Sequence, residues 1–133
     1  MGMLILEHTT DLRVRFSGRD PEELMINAAT GLEEIIYGKI ICEDASEKVE
    51  IKAEGQDLES LLAGWLSEIL AFNDINGKAL SHFLIIGLGD GLIRADCRAC
   101  KARAQEALKS VAYDDLKVWE IDGRWHAQVI FKI

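Results

Sequence analysis

The sequence predicts an α+β fold, a two-layer sandwich in which a mixed, mostly antiparallel sheet carries two helices on one face. Three observations predict it. Two segments place apolar residues at helical spacing behind a capping aspartate, and several shorter ones alternate apolar and polar residues. Two glycine turns, Gly89-Asp90-Gly91 and Asp122-Gly123, separate runs of strand type, so each pair forms a hairpin. With 133 residues, 49% of them apolar, the chain suits one domain over residues 1–133 with a single core.

The elements follow in order. Leu4 to Leu6 form a short first strand, and Leu12, Val14 and Phe16 alternate with Arg13 and Arg15 in a second that Ser17-Gly18 closes. Asp20 as N-cap, Pro21 at the first helical position and Glu23 at the third open a helix, with Leu24, Ala28, Leu32 and Ile35 as its apolar stripe and Gly38 at its end. Val49, Ile51 and Ala53 alternate as a third strand. Asp57 caps the second helix, whose broad apolar face runs from Leu58 through Trp65 to Leu70 before Asn73 to Gly77 turn the chain. Phe83 to Leu88 with Leu92 to Cys97, and Leu116 to Ile121 with Trp125 to Ile133, complete the hairpins.

The last strand ends the sequence. Alternation puts Trp125, Ala127, Val129, Phe131 and Ile133 on the core face, so packing holds Ile133 and fixes the α-carboxylate it carries. A fixed carboxylate is an anion able to ligate a metal.

Composition narrows the function classes. Asp and Glu number 23 against 15 Lys and Arg, a net charge of -8 that repels phosphate backbones and argues against strong direct nucleic-acid binding. A protein partner or a cation suits this balance. Met3-Leu4-Ile5-Leu6 meets Glu7 after four apolar residues, too few for a signal-peptide core or a bilayer span. Leu6 stands where a myristoylation signal wants Ser or Thr. Three cysteines, an odd count, fit free thiols in a reducing compartment, and the expected location is the cytoplasm with no membrane association.

Most candidate motifs have a plainer reading. Gly87, Gly89 and Gly91 precede a strand instead of a helix, which suits a turn and not a dinucleotide loop. Cys97 and Cys100 have the spacing of half a zinc site or of a redox pair, without a second pair or a following helix; Cys42 joins them as a ligand only if the fold brings it close. His8, His82 and His126 lack metalloprotease spacing, and no Ser or Cys sits in a nucleophile turn. Glu33-Glu34 and Asp114-Asp115 suit solvated faces. The chain is therefore expected not to be an enzyme.

Beyond these readings, His8-Thr9-Thr10-Asp11 resembles the HTAD signature of the archease family. Pro21-Glu22-Glu23-Leu24 with Asn27-Ala28-Ala29 and Gly31-Leu32, and Asp57-Leu58-Glu59 with Leu61-Leu62 and Trp65-Leu66, resemble the two archease helices. Lys109 to Tyr113 is similar to its KAVTY strand, and Gly123 with Trp125 to Phe131 to its terminal strand. The resemblance implies an accessory protein that promotes guanylylation and multiple turnover of a tRNA-splicing RNA ligase of the RtcB type. It also carries an older proposal, a chaperone-like modulator of tRNA cytosine methylation.

The resemblance implies a divalent cation, calcium in the family, held by the HTAD aspartate, a penultimate acid and the last carboxylate. Asp11 and the Ile133 carboxylate match two of these, but Lys132 stands at the acidic position, a swing of two charge units. The family's Gly-Glu aligns with Ala99-Cys100 and a histidine with Asp114, and the loop from Lys101 to Leu108 is shorter. Two arrangements follow. Either Lys132 replaces the cation as a built-in counter-ion, or a rebuilt shell uses Asp11, Asp114 and the Ile133 carboxylate, with Cys100 available to a softer ion such as zinc. A binding module for another RNA-processing enzyme and a small metal-dependent hydrolase are the remaining function classes.

Overall fold

Aspartates start both helices as their positions predict. In the computed structural model, which describes residues 2–8, 11–40, 42–43 and 46–133 apart from the side chains of Glu7, His8 and Asp114, Asp20 and Asp57 are the N-caps. Helix α1 spans Pro21–Tyr37 and α2 spans Leu58–Asn76. The Asp20 carboxylate accepts from the Glu23 N–H at 2.8 Å, while Glu23 reaches back to the Arg19 N–H at 3.0 Å. At α2 the capping box closes through Ser60: its N–H donates to Asp57 at 2.7 Å and its hydroxyl accepts from the Asp57 N–H at 3.1 Å. Asn73 to Asn76, expected as a turn, continue α2 until Gly77, at φ 63°, ends it in the left-handed conformation.

The strands are β1 (Met3–His8), β2 (Asp11–Gly18), β3 (Glu47–Glu54), β4 (Lys78–Gly89), β5 (Leu92–Lys101), β6 (Ser110–Ile121) and β7 (Arg124–Lys132). The α+β class holds, with antiparallel hairpins as expected. Their grouping differs: the strands form two sheets, ordered β1-β2-β7-β6 and β3-β5-β4, and every pairing among the described residues is antiparallel. Alternation identifies a strand but not its neighbour, and β3 finds β5 across α2 instead of joining β2.

Both helices pack against both sheets. Helix α1 lies on β1, β2 and β7 and also on β4, while α2 lies on β6 and on β3, β4 and β5. The core fills this junction, with Phe16, Leu24, Leu32, Trp65, Leu66, Ile69, Ile93 and Phe131 fully buried. Burying a side chain of this kind stabilises by about 1.5–3 kcal/mol. The Trp65 indole N–H is satisfied by the Met25 carbonyl at 3.0 Å, which ties α2 to α1.

The two helix entries repeat one another. Gly18-Arg19-Asp20-Pro21-Glu22 and Gly55-Gln56-Asp57-Leu58-Glu59 share Gly, Asp and Glu at matching places, each leaving a strand and entering a helix. A Cβ on Gly18 would stand 2.5 Å from the Leu24 nitrogen, and one on Gly55 would run into the Leu61 nitrogen. Both turns bring strand backbone against the first helical turn too closely for any side chain.

The two hairpin turns are equally specific. Asp90 and Gly91 have φ 55° and 73°, Asp122 and Gly123 have φ 51° and 80°, and positive φ at both central residues is the type I′ pattern that matches strand twist.

Candidate functional site

The first residue of β2 and the last of β7 face one another. Asp11 pairs with Lys132 in the β2–β7 ladder, and on the other side of β7 Ser110 of β6 pairs with Lys132. The Lys109 N–H donates to the Lys132 carbonyl at 2.8 Å, so three chain segments meet at this corner. Leu12, Val14 and Phe16 are buried beneath it, and the Ile133 side chain packs against the same core. The alternation expected of Trp125 to Ile133 is thus observed.

Register and parity put Asp11 and Lys132 side by side on the outer face. The Lys132 ammonium donates to Asp11 Oδ2 at 3.1 Å, with about half of each side chain exposed. Calcium takes six to eight oxygen ligands, whereas a lysine ammonium offers three donors and no lone pair. Lys132 therefore does not fit a calcium shell as a ligand, and among the described residues no three His, Cys, Asp or Glu side chains form a group that could hold a metal ion.

The remaining candidates are dispersed. Thr9 and Thr10, and the side chains of His8 and Asp114, lie outside the described residues. The Asp114 backbone falls where the β6–β7 register shifts, between Ala112 and Lys117. Cys100 is in the other sheet, opposite Ala79 of β4, and is bonded to Cys42. The expectation of three free thiols is corrected here. The Cys42 N–H bonds to the Ser81 hydroxyl at 2.9 Å, which holds the segment after α1 against β4 and brings the two Cα atoms to 5.5 Å. Cys97, three residues from Cys100, points into the core, and burial pushes its thiol up to about 12.

Glu33 is a second correction, because it is buried and not part of a solvated pair. It lies one residue beyond the expected stripe of α1, on a flank that α2 and β4 cover. Its Oε1 accepts from the Asn73 amide at 2.8 Å and from the Leu80 N–H at 2.7 Å, while Oε2 is buried without a partner. Desolvation raises its pKa to about 7 against the opposing pull of those two donors. It lines a cleft of about 400 Å³ with Thr30, Lys39, Ile40, Ser81 and His82, the last at φ 57°. Periodicity could not single out this acid; its position beside Leu32 was the available signal.

The sequence alone does not disclose a third group. On the outer face of β2, β7 and β6, the Trp119 indole stacks on the His126 ring, centroids 5.6 Å apart and 20° from parallel, and the Arg15 guanidinium lies 5.5 Å from the Trp119 ring centroid. Arg13 and Arg15, alternating with buried residues, were the visible half of this arrangement; the partner strands were not visible.

Known proteins resemble this chain along nearly its whole length. The model of the Archease protein family (MTH1598/TM1083) matches residues 4–133. The protein archease of Pyrococcus furiosus is 34% identical over 133 residues, 93% of each chain. That of Methanopyrus kandleri is 33% identical over 94% of each. The solution structure of protein 1598 of Methanobacterium thermoautotrophicum is similar with a TM-score of 0.73 at 25% identity, covering 99% of each chain. The crystal structure of a Thermotoga maritima archease, described as a possible chaperone, shares the fold with a TM-score of 0.69 at 21% identity, over 96% of this chain and 94% of that one.

Proposed function

The chain belongs to the Archease protein family, and from that premise we propose that it is a non-catalytic accessory protein of a tRNA-splicing RNA ligase of the RtcB type. It acts in the cytoplasm by direct contact, promoting guanylylation of the ligase and its repeated turnover. What carries this reading is the extent of the likeness: it runs from residue 4 to residue 133 and includes both Asp11 and the terminal strand on which Lys132 lies.

At the site itself the proposal is that Lys132 supplies the positive charge that a divalent cation supplies in relatives with a penultimate acid. The 3.1 Å ion pair with Asp11 supports it. Lys132 then fixes Asp11 and keeps the corner from presenting uncompensated negative charge to the ligase. Adding the protein to a cognate ligase should accelerate guanylylation at least several-fold. No acceleration across a range of nucleotide and metal conditions would overturn the reading.

A chaperone-like module for another RNA-processing enzyme, such as a tRNA cytosine methyltransferase, is the second reading. The exposed Leu4 and Ile5 on edge strand β1 favour it, because an apolar sheet edge is suited to holding another chain. Protection of that methyltransferase from thermal aggregation, without any effect on the ligase, would select it.

A further inference from the structure

Charge is unevenly distributed on this acidic chain. Arg13 and Arg15 of β2, Arg124 and Lys132 of β7 and Lys117 of β6 share the outer face of one sheet: Arg15 and Lys117 flank Gln128 in register, and Arg124 reaches the Ser17 hydroxyl at 3.5 Å. Among the described side chains, Asp11 is the acid on this face and Lys132 already holds it, while the side chain of Glu7, opposite Arg13 in the β1–β2 ladder, lies outside the described residues. Arg13, Arg15, Lys117 and Arg124 form no ion pair with any described acid. The Nε atoms of Arg13 and Arg15 are buried and have no hydrogen-bond partner.

We propose that this face binds a single-stranded RNA segment, with Arg13, Arg15, Lys117 and Arg124 on its phosphates and the Trp119–His126 stack as the platform for a base. The inference rests on the sheet face alone and is independent of the ligase reading. It reverses, locally, the expectation drawn from net charge, because a polyanion meets the nearby field before it meets the average. Arginines two residues apart on one strand stand about 7 Å apart on the same face, and the planar guanidinium fork is suited to phosphate oxygens. An acidic protein surface would neutralise the cations equally well but would leave the stacked rings without a counterpart. A polynucleotide uses both, since stacking on aromatic side chains together with a cationic track is the recurring mode of single-strand binding.

The test is fluorescence anisotropy of a labelled 12-nucleotide single-stranded RNA with the full-length protein, alongside the same sequence as duplex and a polyglutamate of equal length. Binding should prefer the single strand, and its affinity should fall with salt at a log–log slope near -2.8, about 0.7 for each of four phosphate contacts. Trp119→Ala should weaken binding about tenfold. Trp119→Phe should keep binding near wild type while abolishing the quenching of tryptophan fluorescence by RNA. Lys117→Glu with Arg124→Glu, both at exposed positions, should weaken binding at least tenfold with an unchanged melting temperature. Polyglutamate binding as tightly as RNA, RNA binding indifferent to the Lys117 and Arg124 changes, or no binding at physiological salt would each overturn the inference.

Discussion

Asp11 Oδ2 and Lys132 Nζ, 121 residues apart in sequence, lie 3.1 Å from one another because antiparallel pairing sets the first residue of β2 opposite the last of β7. Half-exposed pairs of this kind contribute about 0–1 kcal/mol, so stability does not explain a lysine there. Lys132→Met should shift the urea midpoint by less than the equivalent of about 1 kcal/mol while reducing ligase stimulation. A large loss of stability would make the pair a structural element instead.

Glu33 gives the chain a pH dependence of definite sign. Its pKa is about 7 in the fold against 4.5 ordinarily, so between those values the native state binds the extra proton. Stability is then greatest towards pH 4.5 and declines as pH rises to 7, by on the order of 3 kcal/mol at most. Glu33→Gln keeps an oxygen for the Leu80 N–H and removes the titration. Urea unfolding at pH 5 and 7.5 should show a smaller decline in that variant than in the wild type, and equal declines would contradict the assignment.

The Cys42–Cys100 bridge closes a loop of 58 residues. On the chain-entropy account, such a loop is worth about 4 kcal/mol, with native strain reducing the yield. Cys42→Ser should lower the unfolding free energy by about 2–4 kcal/mol. Thiol counting by mass should find one labelled cysteine, Cys97, in unfolded non-reduced protein and three after reduction. Three without reductant would show the bridge absent.

The paired helix entries predict two costly substitutions and one harmless one. Gly18→Ala and Gly55→Ala each force a Cβ against helix backbone and should destabilise by about 1–3 kcal/mol. Gly87, with open space around it, should accept alanine within about 0.5 kcal/mol. Thermal unfolding of the three variants separates these outcomes.

What the sequence revealed was local. Asp20, Pro21 and Glu23 marked the start of α1 because capping is a matter of a few neighbouring residues, and the alternation from Trp125 to Ile133 marked the core face of β7 for the same reason. Strand partners were not legible, since pairing β3 with β5 depends on how α2 packs. Burial of Glu33 and the closeness of Cys42 to Cys100 depend on elements about 40 to 60 residues away. At the candidate site, Asp11 and Lys132 were both visible as residues, and the resemblance made each notable. Their opposition in register was a product of the fold.

Calcium titration by calorimetry tests the central claim most directly, with wild type compared against Lys132→Asp. The ion-pair account predicts no binding at micromolar calcium for the wild type and measurable binding once the acid is introduced beside Asp11. Micromolar binding to the wild-type protein would contradict it.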